Sequence, residues 1–220
     1  MDEVKLIDIK EEILAENKDL AEQIRDRLRA QGVFLVNLMS SPGSGKTSLI
    51  LRTVEHLRTE LRIGVIEGDV DSAVDAERVA QEGVPAVQIR TGGSCHLSAA
   101  MVEKGLDALS LESLDLVLLE NIGNLICPAG SDTGAHLDTA LVSIPEGDDK
   151  PLKYPAIFRT SHAIVVNKID AADYFDFDSG SFARRVRALN PDAPHFEVSC
   201  RTGEGIEDWC LWLRGRIKGA

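Results

Sequence analysis

The stretch that most constrains this chain is SSPGSGKTSL, Ser40 to Leu49, which follows the apolar run VFLVNLM and precedes a segment of helical character. A glycine-rich turn between a buried strand and a helix converges backbone N–H groups on one point, and the helix N-terminus adds partial positive charge there. Such a turn cradles phosphate. Gly43, Ser44 and Gly45 are expected to form the nest, Lys46 to reach the β- and γ-phosphates, Thr47 to offer its hydroxyl to Mg²⁺, and Ser48 to complete the nucleotide-binding turn. The pattern G-x-x-x-x-G-K-S/T is met except at its first position, where Ser40 replaces glycine. Strand, nest and lysine are untouched by that departure.

The remaining apolar runs have the same character. Val33 to Met39, Ile63 to Glu67, Ala86 to Arg90, Leu114 to Glu120, Ala140 to Ile144, Ala163 to Asn167 and Phe196 to Cys200 are short and apolar with little alternation. Runs of that kind fit strands buried on both faces, with helical crossovers between them. The expectation is an α/β fold, one P-loop NTPase domain over residues 1–220, with a mostly parallel sheet of about seven strands covered by helices on both faces. Ile9, Ile13, Leu20, Ile24 and Leu28 recur at near-helical spacing, so residues 1–31 read as a lead-in helix packed on that domain. PEGDDKPLKYP, Pro145 to Pro155, is the most loop-like stretch and is expected to be mobile.

Charge narrows the partners. Lys plus Arg number 24 against 36 Asp plus Glu, a formal charge of -12 with no basic block, which argues against nucleic acid and anionic membrane surfaces. MDEVKLIDIKEE lacks a secretory pattern and no apolar run approaches the ~20 residues that span a bilayer, so a cytoplasmic protein is expected. Cys95, Cys127, Cys200 and Cys210 are then better read as thiols than as a disulfide framework.

In parallel sheets ligands bind where strands end. IEGDVD follows the second run and LLENIGN the fourth, so Asp69 and Glu120 are assigned with Thr47 to magnesium, and Gly123 to a γ-phosphate-sensing turn, E-x-x-G. Asp71 and Asp75 are the candidates to orient the attacking water, beside Lys46 as the catalytic cation. VVNKID supplies the base site. Guanine presents two adjacent donors that one carboxylate can accept and adenine has no such pair, so Asp170 selects GTP, Asn167 bonds the base or braces the P-loop, and the Lys168 stem covers the ring. In VSCRTGEG the backbone N–H groups of Cys200 and Arg201 are expected to face the guanine carbonyl.

TGGSCHL places Cys95 and His96 between a strand and a helix, and Cys127 follows Glu120 by a few residues. Thiolate and imidazole suit Ni²⁺ or Zn²⁺. Three ligands leave a four-coordinate site incomplete, which invites a second copy of the chain. Cys210 reads as core; His56, His162 and His195 read as structural, and His136 as ambiguous.

With SSPGSGKT, EGDV, DAER, TGGSCHL, ENIGNLICPAG, EGDDKPLKYP and VVNKID in hand, the chain closely resembles the HypB family of hydrogenase nickel-incorporation GTPases, of the SIMIBI class. The related urease accessory GTPases carry Cys-Pro-His where this chain has Cys95-His96. The resemblance implies a GTP-dependent homodimer that delivers Ni²⁺ to the large subunit of nickel–iron hydrogenase, together with a HypA-like metallochaperone. Members often carry an N-terminal C-x-x-C-G-C or histidine-rich tract, which MDEVKLIDIKEE does not contain, and a lysine where this chain has Arg201. The leading reading is therefore a GTPase acting as a metal-delivery switch. Its rivals are a non-catalytic GTP-bound metal carrier, a urease-type nickel-insertion GTPase and, against Asp170, a small-molecule kinase.

Overall fold

The computed structural model describes residues 9–71 and 74–219. The chain runs through α1 (Ile9–Gln31), β1 (Phe34–Ser40), α2 (Lys46–Leu57), β2 (Ile63–Asp69), α3 (Val74–Gln81), β3 (Ala86–Arg90), α4 (Ala99–Asp107) and β4 (Leu116–Glu120). It continues with β5 (Leu137–Ser143), α5 (Lys150–Lys153), α6 (Pro155–Thr160), β6 (Ala163–Asn167), α7 (Ser179–Leu189), β7 (His195–Glu197) and α8 (Ile206–Lys218). Residues 1–8 of the expected lead-in helix lie outside the described residues.

The strands form one sheet in the order β3-β2-β4-β1-β5-β6-β7, and every pairing is parallel. β1, the central strand, is buried at all of its positions because helices cover both faces. Val36 and Leu38 point into a core with Leu49 and Ile50 of α2 and Trp209 and Leu213 of α8. Leu35 points the other way, among Ile24 and Leu28 of α1 and Val102 and Leu106 of α4. Each such side chain contributes about 1.5–3 kcal/mol by leaving water. The strands end together at their carboxyl edge, where the loops carrying the candidate residues meet.

All seven expected strands exist, β3 and β6 with the expected ends and the other five with shifted ones. β5 starts at Leu137, ahead of the expected Ala140, because polar Asp138 is absorbed into the sheet by a hydrogen bond from Asn37 Nδ2 at 2.8 Å. β7 stops at Glu197, before the expected Cys200. The Pro145 to Pro155 stretch departs most from expectation: it is built as a 3-10 turn (Ile144–Glu146) leading through α5 into α6, with Ile144 and Pro151 buried. Prolines at the starts of these helical turns, where no backbone donor is needed, account for a segment that reads as loop from composition. Among the described residues no helix is long and apolar enough to cross a membrane.

Candidate functional site

Gly45 joins the loop to α2 in the left-handed region, φ 100, and a Cβ there would collide with Asn167 Nδ2. Only glycine satisfies both conditions. Beyond it, buried Lys46 receives two oxygens: Ser40 Oγ at 3.0 Å and Glu120 Oε1 at 3.7 Å. Ser40, which breaks the loop consensus, thus positions the lysine. Thr47 Oγ1 donates to the same Glu120 oxygen at 3.2 Å. Gly123 packs against Pro42, so closely that a Cβ would sit 2.9 Å from its ring. The turn after Glu120 therefore touches the phosphate loop directly.

A cavity of about 440 Å³ opens over this loop, lined by Lys46, Thr47, Asp69, Asp75, Arg78 and Glu120 among others. Asp71 is exposed, and its backbone N–H donates to Asp69 Oδ1 at 2.9 Å, holding the turn. Sequence reasoning missed Glu67. It is 2 % exposed and lies in register with Glu120 across β2 and β4. Burial, then the neighbouring Glu120, push the Glu67 carboxyl up to about 10. Burial also raises Glu120, while Lys46 and the hydrogen bond from Glu67 oppose that rise. The pair thus shares a proton that resides on Glu67. Its spacing within IEGD carries no signal for this; only the strand order brings the two carboxyls together.

The segments carrying the expected base-binding residues, VVNKID and VSCRTGEG, meet beside the phosphate loop. Asn167 Nδ2 donates to Ser44 O at 2.9 Å, so the asparagine braces the phosphate loop. Lys168 adopts φ 65 and its Nζ donates to Gly43 O at 2.6 Å. Ser199 Oγ donates to Asp170 Oδ1 at 2.6 Å and fixes the carboxylate, with exposed Arg201 3.7 Å from its other oxygen. The Cys200 N–H, expected to face guanine, donates instead to Asn167 Oδ1 at 3.1 Å. The Cys200 thiol is pushed up to about 11 by burial, as a packed side chain and not a nucleophile. Arg52 Nε donates to Cys200 O at 2.8 Å and anchors this loop to α2.

Cys95, His96 and Cys127 converge, their ligand atoms all within 4.8 Å of one another. Cys95 Sγ lies 3.6 Å from His96 Nδ1, and hydrogen bonding with Cys127 raises the Cys95 thiol above its ordinary range. Two asparagines unnoticed in the sequence hold these loops. Asn121, buried beside Glu120, accepts from Leu97 N at 3.1 Å and Ile122 N at 2.9 Å, and donates to Asn37 Oδ1 at 3.1 Å. Asn124 accepts from Ile126 N at 2.8 Å and donates to Cys95 O at 3.4 Å. From α1, Asn17 accepts from Ala99 N at 2.9 Å and donates to Asp132 O at 2.7 Å, so one side chain ties both thiol-bearing segments to the lead-in helix.

His136 is remote from the thiols in role: it stacks on Phe34 with ring centroids 4.8 Å apart and accepts from Leu35 N at 3.0 Å. His162 likewise accepts from Asp138 N. Cys210 lies in the core beside Trp209, its thiol pushed up to about 12 by burial.

A family model, the CobW/HypB/UreG nucleotide-binding domain, matches residues 34–197. The chain belongs to this family. Among curated relatives, the hydrogenase maturation factor HypB of Azotobacter chroococcum mcd 1 is 43% identical over 218 residues, 98% of this chain and 70% of that protein. Two solved HypB structures superpose closely. That from Helicobacter pylori, in complex with nickel, has a TM-score of 0.89 at 36% identity, covering 93% of this chain and 96% of that one. That from Archaeoglobus fulgidus has a TM-score of 0.86 at 43% identity, covering 92% and 99%. These likenesses group the chain with the HypB branch.

Proposed function

We propose that this chain is a GTP-hydrolysing metallochaperone switch that assists nickel insertion during hydrogenase maturation, acting as a GTP-dependent homodimer in the cytoplasm. The observation that carries the reading is the single segment Glu120 to Cys127. It begins with the carboxylate that meets Lys46 and Thr47, passes Gly123 against Pro42, and ends in a thiol of the Cys-His-Cys group. One backbone segment therefore serves both the nucleotide and the metal.

The residues fit magnesium as well as nucleotide. Glu67 Oε1 and Glu120 Oε2 are buried without a hydrogen-bond donor, and a cation with its waters satisfies oxygens of that kind. When bound, Mg²⁺ neutralises charge developing on the transferred phosphoryl group. Thr47 and Glu120 would hold it, with Asp69 at the cavity edge. Lys46 binds the β- and γ-phosphates, and Asp75 orients the attacking water. At the other site, three ligands fall short of a tetrahedral shell, so a symmetry-related chain supplies the rest for Ni²⁺ or Zn²⁺. A HypA-like metallochaperone and the hydrogenase large subunit are the partners carried over from the relatives.

The test is a metal titration of the purified protein with GDP and with a non-hydrolysable GTP analogue, reading affinity, oligomer mass and turnover together. Nucleotide-dependent metal affinity with measurable hydrolysis, lost in Lys46→Ala, is the expected result. Metal binding indifferent to nucleotide, with no hydrolysis above background, makes the chain a passive GTP-bound carrier and overturns the switch.

A further inference from the structure

Three carboxylates that line the phosphate cavity, Asp69, Asp75 and Glu120, face two cations, Lys46 and Arg78. The two cations enter differently. Lys46 lies at the floor, 7 % exposed and held between β1 and β4 by Ser40 and Glu120. Arg78 comes from α3 at the rim, half exposed, and its one described partner is Asp75 one helical turn earlier, at 3.3 Å. An exposed pair of this kind is weak and easily exchanged. Arg78 also lines an adjoining cavity of about 540 Å³ with Ser48, Arg52 and Glu82, which gives its side chain room to swing.

The geometry points to Arg78 as a catalytic arginine supplied in cis, which leaves Asp75 for the γ-phosphate of GTP and frees the Asp75 carboxylate to face the attacking water. This rests on the GTPase reading above. A guanidinium fork matches two phosphate oxygens at once, which an ammonium cannot do. In hydrolysis the water oxygen bonds to the γ-phosphorus while the bond to the β–γ bridging oxygen breaks. That oxygen leaves on GDP with the electron pair, and the water's proton passes by way of Asp75 to inorganic phosphate. Negative charge spreads over the γ-oxygens as this happens, and Lys46 from the floor and Arg78 from the rim bracket it. Asp75 and Arg78 then act as one exchangeable unit, each released by the other's engagement.

Single-turnover GTP hydrolysis and GDP affinity of Arg78→Ala and Arg78→Lys test this. Arg78→Ala is expected to lower the rate about 10²–10³-fold, with GDP affinity held within about twofold, because the contact forms only as charge develops on the γ-phosphate. Arg78→Lys recovers a small part. Added guanidinium ion restores rate to Arg78→Ala and not to Lys46→Ala. Wild-type turnover in Arg78→Ala overturns the arginine alone, as does a parallel loss of GDP affinity and rate, the mark of a merely structural residue. A wild-type protein that binds GTP and never hydrolyses it overturns the GTPase reading and this role with it.

Discussion

Glu67 and Glu120 stand opposite one another on adjacent parallel strands, 2 % and 7 % exposed, with one proton between them. The pairing places a second buried carboxyl directly behind the one that meets Lys46 and Thr47. Its folded-state affinity for the proton exceeds that of a free carboxyl, about 10 against 4.5. The stability this adds is complete below the unfolded value and declines as pH rises toward the folded one. Glu67→Gln keeps a hydrogen-bond donor to Glu120 and has no proton to lose. In nucleotide- and metal-free protein it is expected to raise the melting midpoint at about pH 8.5 by about 2–4 °C and to leave it unchanged at about pH 5. Superimposable calorimetric profiles across that range would count against the shared proton.

Asp170→Asn is expected to exchange guanine for xanthine preference, since an amide donates where the carboxylate accepts. Discrimination resting on buried hydrogen bonds reaches about 10⁴-fold. Ser199→Ala, which frees the carboxylate held at 2.6 Å, weakens GTP by about tenfold with the base preference kept. Competition binding with xanthosine triphosphate decides, and an Asp170→Asn protein still selective for GTP removes the base assignment.

Cys95→Ala and Cys127→Ala are each expected to lose Ni²⁺ or Zn²⁺ and to weaken GTP-dependent dimerisation, whereas Cys210→Ala leaves both intact and lowers stability through the core. Thiolates shed protons to bind, so metal affinity falls with acidification. Linkage makes the effect of metal on the GTP dimer equal to that of GTP on the metal, typically about 1–3 kcal/mol. Full affinity for one metal per monomer, indifferent to Cys127→Ala, would sink the shared site.

His136 sets an acid limit. Burial lowers its imidazole to about 4 from 6.5, so the folded protein binds this proton less well than the unfolded chain. The stability it confers is present above pH 6.5 and is lost as pH falls toward 4, by on the order of 1–3 kcal/mol. His136→Gln keeps an acceptor for Leu35 N and flattens the melting profile across that window. A profile as steep as wild type contradicts the assignment.

The phosphate loop and the thiol triad were legible because each is a short spacing whose chemistry is local. Strand existence was legible for a related reason at β1, β2, β4, β5 and β6, where burial on both faces leaves nearly uninterrupted apolar runs, whereas the edge strands β3 and β7 are only partly buried. What escaped depends on adjacency that sequence does not encode. Glu67 becomes informative only once β2 lies beside β4, and Asn121 and Asn124 only once Leu97 and Cys95 are folded against them. The EGDDKP stretch was misread because proline and charge signal loops, while Glu146 Oε1 accepts from Ser44 Oγ at 2.6 Å and ties the segment to the phosphate loop.

Asn121 works as a fulcrum with two levers on it. Its carbonyl oxygen is bonded to the amide that follows His96 and to the amide that leads toward Gly123, and its amide nitrogen is bonded to the central strand. The oxygen accepts two bonds and the nitrogen donates one, so neither lever can tilt alone without orphaning a buried polar group, at a cost of about 1–3 kcal/mol. A mechanism without slack has no clutch. On the proposed GTPase reading its rhythm is set by phosphate bond cleavage, and a change at Asn121 is expected to uncouple the two ends while each keeps its own ligand.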